Sequence, residues 1–280
     1  MQRHSKRYFP IFVLPTLAAF TLAFVIPFLW GIFLSFTRFL TVIDYDFVGI
    51  ENYVGLITDK KFISAFWFTG KFAVVSVLTI NIFAFLLALL LTRKVKGTNL
   101  FRTIFFMPNL IGGIVLGYIW MLILNGILAN FGVTLTFASK FGFWGLIILL
   151  NWQQVGYMMV IYIAGIQNIP SDIMEAAKID GAGRFQMLKK ITLPLVMPSI
   201  TICTFLTVSN SFKLFDQNLA LTNGMPSNKS TMLALDIFNT FYGTPGHEGM
   251  GQAKAVVFCI NVSIITLLSL KFTRSKEVDN

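Results

Sequence analysis

Ile169-Pro-Ser-Asp-Ile-Met-Glu-Ala-Ala-Lys-Ile-Asp-Gly-Ala-Gly-Arg-Phe-Gln-Met-Leu-Lys-Lys-Ile-Thr-Leu-Pro194 is the polar stretch on which the fold of this chain turns. Pro170 ends whatever precedes it, because the residue before a proline is driven out of the helical region. Asp172 and Glu175 have capping-box spacing, which predicts a short helix over 172–180 with two alanines, Ala176 and Ala177, on its surface. Gly181 and Gly183 break that helix. Arg184–Ile191 can form a second turn or helix, and Pro194 suits the first turn of the next element. Two short helices joined by glycines make a rigid knob whose alanines let another backbone come close. On these residues alone, an ordinary loop capped by Glu175 is as good a reading as a docking surface.

On either side of the knob the chain turns apolar. Phe141–Ile166 precedes it and Ile191–Phe212 follows, both without charge and both long enough for the roughly 20 residues that a membrane helix needs. Pro10–Leu34, Phe72–Thr92 and Thr103–Asn125 are uncharged too, and Ala255–Leu270 reaches full length if Lys254 snorkels at its start. Pro10–Leu34 exceeds a signal-peptide core and reads as a retained span. Over the 280 residues, 56% are apolar and only 12% charged, about half the soluble norm. Mean hydropathy is +0.75. These values exclude a soluble enzyme and a disordered chain. The net charge of +10 does not point to nucleic acid, since lipid-facing sequence separates the charges. Cys203 and Cys259 sit in apolar runs without metal or disulfide spacing.

Charge sets the orientation. With the N-terminus inside, the inner segments hold Arg3, Lys6, Arg7, Arg93, Lys94, Lys96, Arg102, Lys178, Arg184, Lys189, Lys190, Lys271, Arg274 and Lys276, fourteen of twenty-two basic residues. The positive-inside rule then puts both termini in the cytoplasm. The outer loops are too short for a separate domain. One of them, 231–242, spaces Leu235, Phe238 and Tyr242 for an amphipathic helix at the outer interface.

Catalytic constellations are missing. No G-x-x-x-x-G-K-[ST] exists, so any ATP is bound elsewhere. His4 and His247 lie at opposite ends, and the close carboxylates Asp44 and Asp46 read as a solvated turn. A membrane-embedded transferase is therefore disfavoured, and no catalytic or metal site is expected. A secondary transporter would want an ionisable group deep in a span, and five of the six spans carry none. Polar groups inside lipid are functional candidates. The fourth span carries Asn151, Trp152, Gln153, Gln154 and Tyr157. The fifth ends in Asn210, Ser211, Phe212, Lys213, Phe215, Asp216 and Gln217. Positions 210, 213 and 217 share one helix face, a polar stripe with Asp216 beside it. Asn151, Gln154 and Tyr157 are expected to face that stripe if the fifth helix starts below the membrane surface or tilts. The competing readings are a Lys213–Asp216 pair at i, i+3 and interhelical glue. Glue is the better reading for Asn81, Asn109 and Asn261, and close packing for Gly113 and Gly117.

The knob resembles the EAA motif of permease subunits in binding-protein-dependent ABC importers. The pattern falls on Glu175, Ala176 and Ala177, then Gly181, then Ile191, Leu193 and Pro194, and Asp180, Gly181 and Ala182 match the longer carbohydrate-type form. Leu188 stands where these permeases usually have Phe and keeps the apolar bulk. Further likenesses run in order along the chain. They are Leu34-Ser-Phe-Thr37, Phe47-Val-Gly-Ile-Glu-Asn-Tyr53, Arg102-Thr-Ile-Phe-Phe-Met-Pro108, Phe215-Asp216 and Leu221-Thr-Asn-Gly-Met-Pro226, where Met225 replaces a glycine. The chain is thus similar to the maltose and multiple-sugar branch.

That resemblance implies an all-α polytopic protein forming one transmembrane domain over 1–280. Its spans would run over about 10–36, 66–92, 102–125, 141–168, 191–216 and 250–271, with a cytoplasmic coupling segment at 170–190 between the fourth and fifth. It implies ATPase coupling through Glu175, Ala176, Ala177, Asp180, Gly181 and Ala182. A substrate path along Asn151, Gln154, Tyr157, Asn210, Ser211, Lys213, Asp216 and Gln217 would go with it. It implies import of a sugar, an oligosaccharide before a monosaccharide, by alternating access across a bacterial-type cytoplasmic membrane; a phosphorylated polyol or other solute is the alternative. The partners would be a second related permease, two ATPase subunits holding ATP and magnesium, and an extracytoplasmic sugar-binding protein. No cofactor is expected on this chain.

Overall fold

The computed structural model describes residues 13–41, 43–93 and 96–275. Arg3, His4, Lys6, Arg7, Lys94 and Lys276, and the start of the expected first span, lie outside the described residues. The fold is mostly helical. Among the described residues, four helices are long and apolar enough to cross a membrane, or up to six spans if two bent helix pairs each count as one. Contacts group the chain into two compact units, Met1–Lys60 with Ile237–Phe258 and Lys61–Asp236 with Cys259–Asn280.

In the first unit, α1 (Val13–Leu34) exposes most of its large apolar side chains. A π turn at Thr21–Val25 precedes Pro27. The wider turn gives room to the proline ring, which would otherwise strike the carbonyl one turn back. A small hairpin follows, β1 (Thr37–Thr41) antiparallel to β2 (Asp44–Phe47), then α2 (Glu51–Thr58). Asn52 of α2 donates through Nδ2 to the carbonyls of Ser35 and Thr37, both at 2.9 Å, and Tyr53 Oη lies 2.5 Å from Ser35 Oγ. The two motifs at 34–37 and 47–53 are therefore two halves of one chain reversal.

The second unit begins with α3 (Lys60–Leu91), longer by six residues at its start than the expected 66–92 span. The expected straight third span is broken. α4 (Thr98–Leu110, ending in a 3-10 turn) meets α5 (Gly113–Ala129) at 102°. Pro108 stiffens the last turn of α4, and Gly112 turns to extended backbone. α6 (Ser139–Gln167) is the central helix. Leu146, Leu149, Leu150, Met158 and Met159 on it are fully enclosed, packed with Phe72, Ile80, Leu116 and Leu221. Gly156 lets the Phe105 backbone lie against it, since a Cβ there would strike the Phe105 carbonyl.

α7 (Ser171–Ile179) and α8 (Arg184–Leu195) follow, and α8 meets α9 (Met197–Phe212) at 67°. The expected continuous fifth span from Ile191 thus bends at Val196, ahead of Pro198. A π turn at Leu188–Thr192 again stands before a proline, Pro194. Then come α10 (Asp216–Leu221), α11 (Leu233–Gly243) and α12 (Glu248–Arg274), the last two passing through the first unit over Ile237–Phe258. α11 differs from the expected interfacial helix: Leu235 is fully buried while Tyr242 is 72% exposed, so the three positions do not form one open face. Lys254 does not snorkel. It is 1% exposed, ion-paired with Asp59 at 2.7 Å and donating to Thr240 Oγ1 at 2.8 Å. An internal carboxylate satisfies the ammonium better than a reach to the boundary would.

Candidate functional site

The knob is built from backbone geometry. α7 closes at Asp180, and Gly181 takes φ +78°. The Gly181 N–H reaches the Lys178 carbonyl at 3.1 Å and the Ala182 N–H reaches the Ala177 carbonyl at 2.9 Å. This 5→2 and 6→1 pair is a Schellman turn, and Asp180-Gly181-Ala182 is its sequence. The expected Asp172–Glu175 capping box does not form. The N-cap is Pro170, two residues ahead of Asp172, so Ile173 takes the N3 place and Glu175 falls in the second turn. A reciprocal bond appears instead at the start of α8, where the Gly183 N–H donates to Gln186 Oε1 at 3.0 Å. Glu175, Ala176, Asp180 and Gly181 are exposed, and Ala182 is half-buried. Ala177 turns inward, so one alanine rather than two stays on the surface. Ile179 and Phe185, 86% and 74% exposed, flank the turn.

The polar groups of the fourth and fifth spans meet differently from the expected stripe. α9 stops at Phe212 and α10 restarts at Asp216, so Asn210, Lys213 and Gln217 do not share one helix face. Asn210 Nδ2 donates to Gln154 Oε1 at 3.1 Å, and Gln217 Nε2 donates to Gln153 Oε1 at 2.9 Å. The fourth-span trio diverges. Asn151 turns to α3, donating to Thr79 Oγ1 at 2.9 Å, and the Tyr157 ring lies 6.3 Å from that of Phe106 on α4. Among the described residues, only Gln154 of the three bonds α9. Lys213 is exposed at the end of α9, and Asp216 is half-buried against the α5 glycine Gly113. The two form no ion pair among the described residues. Asn151 Oδ1 and Ser211 Oγ are buried without a hydrogen-bond partner. Asn151 and Trp152 also line a cavity of about 540 Å³ with Phe83, Phe105, Pro108 and Gly156.

Gln153, absent from the expected site, is 6% exposed and bonded at both ends of its amide. Its signal was visible as an amide in an apolar run, but the i, i+3 face through Asn151 and Gln154 passes it by. Asn81 behaves as the expected glue. It donates to Thr207 Oγ1 at 3.0 Å and accepts from Tyr162 Oη at 2.6 Å. Gly113 and Gly117 pack closely on α10, where a Cβ on Gly117 would come within 2.7 Å of Ala220 Cβ.

A family model described as "Binding-protein-dependent transport system inner membrane component" matches residues 80–274, which include the knob and the seam formed by Gln153, Gln154, Asn210 and Gln217. The chain belongs to this family of transport permeases. The permease is 41% identical to a probable starch degradation products transport system permease of Thermoanaerobacterium thermosulfurigenes, over 96% of this chain and 94% of that one. It is 32% identical to a multiple sugar-binding transport system permease of Streptococcus mutans, over 91% of each. Its fold matches a chain of a bacterial ABC transporter that imports the acidic polysaccharide alginate, with a TM-score of 0.82 at 22% identity over 98% of both chains. The permease is a multi-pass membrane transport component, not an enzyme.

Proposed function

We propose that the permease carries a carbohydrate, an oligosaccharide rather than a monosaccharide, across the cytoplasmic membrane by alternating access. One observation carries the site: amides from α6 and α9 meet at Gln154 and Asn210 within apolar helices, and the same two helices carry the buried oxygens of Asn151 and Ser211, which have no hydrogen-bond partner among the described residues. Amides and hydroxyls of this kind match sugar hydroxyls, and the Trp152 ring suits a sugar face. The relatives named for starch products and multiple sugars support the same solute class. Asn151, Gln154, Tyr157, Asn210, Ser211, Lys213, Asp216 and Gln217 would line the path, entering it as the seam opens.

The energy comes from partners. Two ATPase subunits would hold ATP and magnesium and grip the turn around Glu175, Ala176, Ala177, Asp180, Gly181 and Ala182, where Ile179 and Phe185 offer open apolar surface. A second, related permease would complete the path, and an extracytoplasmic binding protein would deliver sugar. In this reading the chain is one transmembrane domain of six spans, with α7 and both termini in the cytoplasm. The test is uptake into vesicles holding the full complex. Labelled oligosaccharide should enter only with binding protein and ATP, and labelling of a cysteine placed at 179 from outside intact cells should fail. Uptake driven by an ion gradient without ATP, or outside labelling at 179, would sink the reading.

A further inference from the structure

The third span is interrupted at Ile111–Gly112, the helix of the fifth ends at Phe212, and one buried side chain is bonded next to both places. At the first, the 102° change of direction falls at Ile111 and Gly112. A break inside a membrane helix strands backbone groups that water cannot reach. The Ile111 carbonyl accepts from Gln153 Nε2 at 3.4 Å. At the second, α10 restarts after Lys213–Phe215, and Gln217 in its first turn donates to Gln153 Oε1 at 2.9 Å. The next residue of α6, Gln154, holds Asn210 just before that break.

The two segments beyond the breaks also belong together. A Cβ on Gly113 would come within 2.7 Å of Asp216 Cβ, and one on Gly117 within 2.7 Å of Ala220 Cβ. α5 and α10 therefore lie backbone to backbone, in register. Gln217→Gln153→Ile111 is a continuous chain of donors and acceptors that fastens this pair to α6, and such chains strengthen each bond in them. An amide can leave these partners for others without moving a charge through lipid.

We propose that Gln153 is a positioning residue of the transport cycle: it clamps the α5–α10 pair to α6 in the state seen here, and its release accompanies the change to the opposite-facing state. Gln153 touches no sugar in this role, which separates it from the path residues. The proposal rests on the transport reading above, but the two fail separately, because the clamp is judged from ATPase ratios and the path from sugar affinity.

The test uses the reconstituted complex with its binding protein. In Gln153→Leu the ratio of binding-protein-stimulated to basal ATPase activity should fall about fivefold, the equivalent of one ordinary hydrogen bond. The sugar concentration for half-maximal uptake should stay within about twofold. Gln217→Leu should reproduce the fall, and the double variant should be no worse than either single, as expected for one shared network. An unchanged ratio in both singles overturns the clamp. So does a shift of about tenfold in half-saturation with the ratio intact, a change of binding energy that would make Gln153 a sugar contact. If Gln153→Leu does not assemble, Gln153→Met, which keeps the length of the side chain and removes both amide bonds, decides alone by the same ratio and half-saturation.

Discussion

The knob and the seam are both polar interruptions of an apolar chain, yet they are held in opposite ways. The knob closes on itself: its turn is made by backbone bonds from Gly181 and Ala182 to carbonyls three and five residues back. The seam is closed by side chains that are 56 and 64 residues apart in sequence, Gln154 with Asn210 and Gln153 with Gln217. A local turn keeps its shape while its surroundings move, which suits a part that transmits force. A seam of neutral amides can part and re-form, which suits a part that opens.

The difference predicts unequal responses to substitution. Gly181→Leu should act most strongly, because a left-handed residue with a side chain costs about 1–2 kcal/mol. Its Cβ would meet nothing within 4 Å among the described residues, so the damage falls on the turn and on whatever docks there. Binding-protein-stimulated ATPase activity should drop by roughly tenfold, with the permease still inserted. Gly181→Asn should recover much of it, since Asn tolerates this backbone region. Full activity in Gly181→Leu would show that the turn transmits nothing.

Glu175→Lys should come next. The exposed carboxylate caps nothing among the described residues, so reversal leaves the fold alone and removes only what a basic partner surface gains. Stimulated ATPase activity should fall while thermal unfolding in detergent is unchanged. A lowered melting temperature would instead assign Glu175 a role within the fold.

The smallest structural effect belongs to the seam. Asn210→Ala removes one interhelical bond, worth on the order of 0.6 kcal/mol in membrane proteins. Assembly and basal ATPase activity should therefore persist while sugar uptake weakens several-fold, and Lys213→Ala should do the same from the exposed end of α9. Unchanged sugar affinity and flux in both would leave those residues as packing.

What could be read from the chain alone follows the same division. Asp180-Gly181-Ala182 announces its turn because the glycine is needed for a positive φ, a requirement met within three residues. Asn52 and Tyr53 carry their motif for a similarly short-range reason, tying back to Ser35 and Thr37. The break at Ile111–Gly112 was hidden, since apolar content continues through it and proline alone does not bend a membrane helix by 102°. The end of α9 at Phe212 lies among Lys213, Asp216 and Gln217, whose spacing fits a continuing helix face equally well. Once α9 stops at Phe212, the helical spacing that joined Asn210, Lys213 and Gln217 has no meaning, and Gln153 takes the place that periodicity assigned to others. Lys254 was misread for a related reason: its partner Asp59 lies almost two hundred residues away in sequence.

The length of α3 has a consequence of its own. Thirty-two residues rise about 48 Å, against a hydrocarbon slab of about 30 Å. Leaning alone would absorb the excess only at about 50°, beyond the usual range of helix tilt. The rod must therefore stand proud of the lipid, and exposed Lys71 marks a natural waterline. The turns above it, from Lys60 to Gly70, make that end of the helix a pedestal.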